Sequence, residues 1–337
     1  MLFMLTSPII RLMNKRTKKA LFLRLVVLSV ILFVAAGSMF AAFLADHILR
    51  VRSAEQFETT ANVFLDTVVD RMENHTDLLY SGRSYVVNTP GATQESWDRF
   101  FRDKEAFSRH KGISTIAYLE TFDESGKAGY LQRMRSQPHF GGDSFAIKPE
   151  GTRDRYVVVN FASSDNDINQ SFGFDLYASQ NRRDALDQSV ATGRPRATEP
   201  YKLATGYPGM SLFLPVYKHD ALIGFALVSF RTDDLMKNLQ SEADPQLRYK
   251  ITDITDSNSP KPLYGSPNWS EDMPLKRRDT VNIAGRTWEI TSAGMNSYGN
   301  SRLYQLIPFL ILAVGILVSV PLFIAFFVFA KADDTTS

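Results

Sequence analysis

The chain has 337 residues and no cysteine, and its 38 Lys+Arg against 36 Asp+Glu leave a formal net charge of +2. Disulfide scaffolds, thiolate metal sites, cysteine nucleophiles and lipoprotein anchors are thereby excluded, and the near balance of charge leaves no basic footprint for nucleic acid. At 44% hydrophobic and 12% aromatic residues, the composition is that of a packed chain with room for one or two domains.

The first element is an apolar run. Residues 25–44 pass without a charge, and at about 1.5 Å per residue they cross a hydrocarbon core of roughly 30 Å. A cleaved signal peptide is the competing reading, but the run exceeds the ~7–15 apolar residues of such segments, so it is read as a retained anchor. Arg11, Lys15, Arg16, Lys18, Lys19 and Arg24 precede it with no acid among them, which keeps residues 1–24 cytoplasmic. A second uncharged run, 303–330, closes the chain apart from a short tail, 331–337. The expected layout is a two-pass protein of the cytoplasmic (inner or plasma) membrane with both termini inside and residues 45–302 periplasmic or extracellular. Neither terminal segment has room for a cytoplasmic catalytic domain, so chemistry or binding is expected in the external region or the spans.

Beyond the first span, Phe57, Ala61, Phe64, Leu65, Val68, Met72 and Leu79 form an apolar stripe that predicts a helix over about 46–83. It packs either on the chain's own domain or, its spacing being close to heptad-like, on a second copy. Pro90 and Gly91 mark a turn; 95–109 reads as an amphipathic helix with Trp97, Phe100, Phe101 and Phe107, and Gly112 stops it. Residues 113–120 and 153–161 read as strands, with a helix over 124–135 between them. Ser179 is placed to cap a helix over 180–191, and Gly193 to end it. Runs 210–217 and 221–230 around Lys218, His219 and Asp220 make a hairpin. Strands at 248–255, 280–283 and 287–292, with a turn at Gly285, form a smaller unit before the second span. Helices on antiparallel sheet, occurring twice, give an α+β fold of two unequal modules.

Few motifs suggest chemistry. His47, His75, His110, His139 and His219 fall in five different elements without ligand spacing, so no metal is expected. Asp165 with Asp167 and Asp233 with Asp234 are adjacent acids of the sort that solvate loops or cap helices. Asn74, Asn169 and Asn268 head N-x-S/T sequons, relevant only to a secreted eukaryotic domain. The tract from Phe140 to Phe145 looks like the GGDEF signature of diguanylate cyclases but has Ser144 where that family needs an acid, and reads as a glycine turn. No cofactor and no enzymatic activity are expected.

The informative stretch begins at Phe172. Gly173, Asp175, Leu176, Arg182, Arg183, Gly193, Thr198, Pro200, Pro215, Val216, Tyr217, Gly224 and Arg231 follow the order G-x-D-L, helix with paired Arg, Gly, T-x-P, P-V-Y strand and G-to-R strand. Upstream, residues 112–122 supply a G-I-x-x-I-x-Y strand. In these positions, covering about 78–239, the chain resembles the CHASE family, the extracytoplasmic sensor domain of plant cytokinin receptors and of many bacterial histidine kinases and cyclases.

The resemblance implies a stalk helix (45–83), a membrane-distal PAS-like ligand module (84–239), a membrane-proximal PAS-like module (240–302) and dimerisation, the whole flanked by transmembrane helices at 25–44 and 303–330. It carries ligand contacts onto Asp175 and Ala197, with Thr198 next to it, at a cavity lined by Tyr118, Phe174, Tyr201, Leu212 and Phe213. The family's threonine before P-V-Y is replaced here by Phe213 or Leu214, a departure from the cytokinin-binding pattern. Asp175 also stands where a carboxylate can accept backbone N–H bonds near a helix start, and Arg182 and Arg183 either lie on the solvated helix surface or lend one member to pair with Asp175. The implied function is a small-molecule sensor in signal transduction, working as a homodimer through a separate membrane-embedded histidine kinase or diguanylate cyclase, with Gly315 and Ser319 as a small-residue patch for helix packing. The alternative is a scaffolding membrane subunit, or a fragment of a longer receptor, that binds no ligand.

Overall fold

The computed structural model describes residues 15–137, 140, 142–164, 171–203 and 206–335. The cytoplasmic placement of residues 1–14 and 336–337, and the readings of His139, Gly141, Asp165, Asp167 and Asn169, lie outside the described residues. The chain divides into two bodies, one holding residues up to Phe57 together with those from Met295 onward, the other Glu58–Gly294.

The first helix, α1 (Lys15–Asn88), is continuous over 74 residues, about 110 Å at the helical rise. No proline interrupts it, and it ends two residues before Pro90, where the residue preceding a proline leaves helical geometry. The last helix, α7 (Arg302–Thr335), contains Pro308 and Pro321. In the first body the apolar residues of both helices are largely exposed, and each helix is long and apolar enough to cross a membrane. Gly315 lies against Ser38, so close that a Cβ there would fall 2.2 Å from the Ser38 hydroxyl oxygen. Above this contact Asn300 donates to the Ser53 hydroxyl at 2.7 Å and to the Leu49 carbonyl at 3.2 Å, and Phe57 meets Tyr298 edge to face.

In the second body the α1 stripe is buried on the chain's own sheets, the first of the two packings the sequence allows. Phe64 lies 4.1 Å from the Tyr249 ring and His75 5.7 Å from that of Phe230. Next come α2 (Gln94–Asp103), opened by a Thr93–Ser96 capping box, and the short α3 (Ala106–Arg109). The single helix expected over 95–109 is thus broken, at Glu105, whose φ of 52° is left-handed.

The larger sheet runs β2 (Tyr156–Ser164), β1 (Ile113–Phe122), β6 (Ala221–Arg231), β5 (Pro208–Lys218), β3 (Arg196–Ala197), with β4 (Tyr201–Lys202) also on β5, all antiparallel. His219 and Asp220, both at positive φ, make the two-residue turn whose twist suits the β5–β6 hairpin. Alternation along these strands gives the sheet two apolar faces. One carries Ala117, Leu119, Val157, Val159, Phe213, Phe225 and Leu227 beneath Ala185 and Leu186 of α5 (Gln180–Thr192). The other meets α1 and α2, where the buried Trp97 indole donates to the Ile116 carbonyl at 3.3 Å. Beside them α4 (Glu124–Arg135) packs Tyr130 and Met134 on Tyr156, Val158, Phe140 and Phe145; Gly142–Ser144 between those two phenylalanines is a single 3-10 turn.

A helix not expected from the sequence, α6 (Thr232–Glu242), leads to the smaller sheet: β8 (Lys261–Gly265), β7 (Arg248–Asp253), β10 (Arg286–Gly294), β9 (Leu275–Ile283), again antiparallel. Asp233 and Asp234 lie in the first turn of α6, a place that favours negative charge.

Candidate functional site

Between the α5 face of the larger sheet and the chain around Phe174 and Tyr201 there is a cavity of about 70 Å³. Its floor is strand: Thr115 and Ala117 of β1, Val159 of β2, Leu227 and Ser229 of β6. Its walls are Ser171, Phe174 and Leu176 on one side and Tyr201 and Leu203 on the other, with Arg182 of α5 above. A cavity of this size holds on the order of five waters.

Two local devices shape it. Gly173, at φ +78°, approaches the Ala146 carbonyl so closely that a Cβ would fall 2.4 Å from its oxygen, which only glycine allows. That approach lets Lys148 donate to the Gly173 carbonyl and Asp175 to the Lys148 carbonyl, both at 2.8 Å, and so fixes Phe174 at the wall. The second device is a line of hydroxyls. Tyr201 meets Ser211 at 2.6 Å and Ser211 meets Ser229 at 2.7 Å, while the Ser114 hydroxyl donates to the Ser229 carbonyl at 3.2 Å. With Arg182, Thr115 and Ser171, the hydroxyls of Ser114, Tyr201 and Ser229 make the polar part of a lining whose remainder is apolar.

Of the residues named from sequence, Phe174 and Tyr201 line the cavity. Phe213 is on the same sheet face but wholly buried in the cluster beneath α5. Leu212 alternates onto the opposite face, and so does Tyr118, whose ring lies 5.9 Å from Phe161 and whose hydroxyl donates to the Ile223 carbonyl. Thr198 is buried and accepts the Ser211 N–H at 3.1 Å through its hydroxyl, and the Ala197 N–H goes to the Ala284 carbonyl at 2.9 Å. Both hold the strand that delivers Tyr201.

Asp175 is fully buried between two lining residues. One carboxylate oxygen accepts the N–H groups of Val157 and Tyr177, each at 3.0 Å, and the other lies 3.4 Å from the Arg153 guanidinium. Burial pushes this carboxyl up, opposed by the two backbone donors and by Arg153. Its ion-pair partner is Arg153; Arg183 adds its charge in the same direction without forming an ion pair, and Arg182 forms none with it among the described residues.

Arg183 donates to the Tyr177 carbonyl at 3.1 Å. Arg182 was expected on the solvated surface or beside Asp175; instead its guanidinium lies 4.6 Å from the Tyr201 ring centre and 5.4 Å from that of Phe174. It is the charged member among the lining residues that sequence reasoning missed, the others being strand and loop residues such as Thr115, Val159 and Leu227. The signal was its spacing, since Arg182, Ala185, Leu186 and Ser189 recur at i, i+3, i+4, i+7 on one face of α5.

Among the described residues no three His, Asp or Glu side chains converge as a metal site. Two histidines far apart in sequence do meet, His75 and His110, with ring centres 6.3 Å apart on the α1 face of the sheet.

A family model, the CHASE domain, matches residues 90–264, which include the cavity and all of the larger sheet. Two curated proteins of Oryza sativa subsp. japonica are similar over part of this region. Probable histidine kinase 4 is 26% identical over 133 residues, covering 35% of this chain and 13% of the rice protein, and probable histidine kinase 5 is 26% identical over 135 residues, covering 36% and 11%. The chain thus matches a small part of each relative's length. Similar solved structures include the ligand-binding domain of a Pseudomonas aeruginosa PAO1 amino acid chemoreceptor in complex with GABA, at 17% identity and TM-score 0.39, covering 66% of this chain and 92% of that one. Another is the ligand-binding domain of the Campylobacter jejuni chemoreceptor Tlp3 in complex with L-valine, at 12% identity and TM-score 0.42, covering 75% and 96%.

Proposed function

The chain belongs to the CHASE-domain family, and from that premise we propose that it is a membrane-anchored sensor whose distal module binds a small molecule in the cavity under Arg182. The observation that carries the reading is the cavity itself. It lies inside the sensor domain, between the central strands and a helix, with an apolar floor and a few converging polar groups, the usual make-up of a small-molecule site. Phe174 and Tyr201 are the proposed ligand contacts among the residues named from sequence; Asp175, Ala197 and Thr198 act by holding the turn and the strand on which those two rings stand. In the proposed topology the basic flank before the first span keeps both termini cytoplasmic and residues 45–302 outside. Binding then shifts the population of two arrangements of the stalk and spans within a homodimer, read by a separate kinase or cyclase.

The test is thermal unfolding of the full chain in lipid nanodiscs against adenine derivatives, amino acids, organic acids and short peptides. A ligand at about 100 times its Kd adds about 2.7 kcal/mol to the stability of the folded state. For a domain of this size that is a rise of about 5–10 °C in Tm. Thr115→Phe fills the cavity and should abolish the shift. No shift with any compound, from a wild-type protein that melts cooperatively, overturns the sensor reading in favour of a scaffolding subunit.

A further inference from the structure

We propose that the ligand of this cavity carries an acidic group, and that Arg182 is the residue that receives it; the inference rests on the sensor reading above and names the ligand class. The face of α5 that carries Arg182 also carries the buried Ala185, Leu186 and Ser189, so the position is one where an apolar side chain would pack. Arg182 itself is half-buried, with its Nε shut off from solvent.

Among the described residues, none offsets Arg182 by charge: it makes no ion pair, and its Nε is buried with no hydrogen-bond partner. The carboxylates in the same region face other cations: Asp175 faces Arg153 at 3.4 Å and Asp187 faces Arg155 at 3.5 Å. No Asp or Glu is among the described residues lining the cavity, whose other polar members are the hydroxyls of Ser114, Thr115, Ser171, Tyr201 and Ser229. Among the described lining residues Arg182 is the one formal charge, and it is positive.

What Arg182 does have is aromatic support. The rings of Tyr201 and Phe174 at 4.6 and 5.4 Å favour the cation through their faces. They also leave the N–H edge of the guanidinium as the direction for hydrogen bonding, and that edge is the planar fork that takes a carboxylate or phosphate in two parallel bonds. The hydroxyls can accept or donate to a second polar group, and Ala117, Val159, Leu176 and Leu227 can cover an apolar body. A short-chain monocarboxylate of about four to six heavy atoms satisfies all three elements within a volume of about five waters.

The experiment compares each acid with its own amide, which keeps the shape and removes the charge. Acetate, propionate and butyrate are titrated against acetamide, propionamide and butyramide on the full chain in nanodiscs, by calorimetry and by Tm, with Arg182→Lys and Arg182→Met as variants. At least one acid should stabilise the wild type and bind about ten- to a hundredfold more tightly than its amide, the scale of a charge-assisted pair. Arg182→Met should lose that preference, the acid weakening by a larger factor than its amide, and Arg182→Lys should keep part of it. Amides that bind as well as acids, or a folded Arg182→Met that retains the acid preference, overturn the inference and leave the sensor reading standing. The same holds if no acid binds while a neutral library compound does. If no compound of either kind binds, the sensor reading falls with it. Should Arg182→Met fail to fold, the acid–amide comparison on the wild type and on Arg182→Lys decides the matter.

Discussion

Lowering the pH should destabilise the sheet-bearing domain through His75, and the size of the effect follows from its surroundings. The imidazole is fully buried, the backbone at Lys111 opposes its loss of charge only in part, and its neighbours are the Phe230 ring at 5.7 Å and the His110 ring at 6.3 Å. Burial chiefly, then the nearby His110 and Arg71 charges, pull its pKa from 6.5 down to about 3. The folded state therefore keeps His75 neutral over a range in which the unfolded chain takes up a proton. With the folded pKa depressed, the stability is present above pH 6.5 and is lost as pH falls toward 3. Between pH 7.5 and 5 the linkage relation gives a loss of about 2 kcal/mol, a figure that holds for any folded pKa well below 5. This corresponds to a drop of about 4–8 °C in Tm. The assay is thermal unfolding of wild type and His75→Leu at half-unit pH steps, the leucine filling similar space without titrating. His110 is also lowered, mainly by burial, and contributes in the same direction, so the quantity to compare is the difference between the two proteins. If His75→Leu loses as much stability between pH 7.5 and 5 as the wild type, the buried imidazole is not the cause and the reasoning is refuted.

Two further outcomes can be checked by unfolding measurements on the full chain. Asp175→Ala leaves the Val157 and Tyr177 N–H groups and the Arg153 cation without their partner and should cost about 3–5 kcal/mol, whereas Asp175→Asn keeps an acceptor oxygen and should cost less than half as much. Because burial raises the Asp175 carboxyl, its contribution has the opposite sign to that of His75: it is present below pH 3.8 and lost as pH rises through the folded value, and equal costs for Ala and Asn would show that the oxygen is not holding those donors. In the membrane-spanning body, Gly315→Leu drives a side chain onto Ser38 and should cost about 1–3 kcal/mol by overpacking, partly restored by Ser38→Gly; a neutral Gly315→Leu would mean that the two helices are not in contact there.

The elements that could be read from sequence are those whose pattern has one dominant cause. The β5–β6 hairpin is two apolar strands around a turn, and the buried face of α1 is a 3.6-residue stripe, so periodicity alone finds both. The strand β9 was seen only in its last four residues because Lys276, Arg277, Arg278 and Asp279 mask it. Those residues alternate half-buried and exposed along an edge strand, where charge is the common protection against unwanted pairing. Pro262 similarly hides β8, yet a proline is tolerated at an edge. The helix α6 was missed because Arg231, Thr232 and Asp233 continue directly from a strand with no glycine between them. Its signal was Leu235, Met236 and Leu239 at helical spacing behind two acids. The break at Glu105 has no such signal, since a glutamate at positive φ is set by the packing on either side of it.

The cavity was harder to read than the fold, because its residues are chosen by which face of a strand they occupy. Phe213 and Leu212 are adjacent and both wholly buried, but a strand sends them to opposite faces, and only one of those faces lies under α5. Tyr118 is lost from the site for the same reason, by one position from Ala117. A sequence shows the alternation and leaves the choice of face to the rest of the fold. Arg182 is the converse case. Its chemistry argues for solvent while its position on α5 argues for the interior, and composition outweighs spacing unless the helix face is traced residue by residue. Where a charged residue falls on an apolar stripe the two signals disagree, and a fold in which local preferences are otherwise consistent tends to place such disagreements at sites of function. Here the stripe of Ala185, Leu186 and Ser189 sets the orientation of the helix, and the cation is carried inward to the wall between Phe174 and Tyr201.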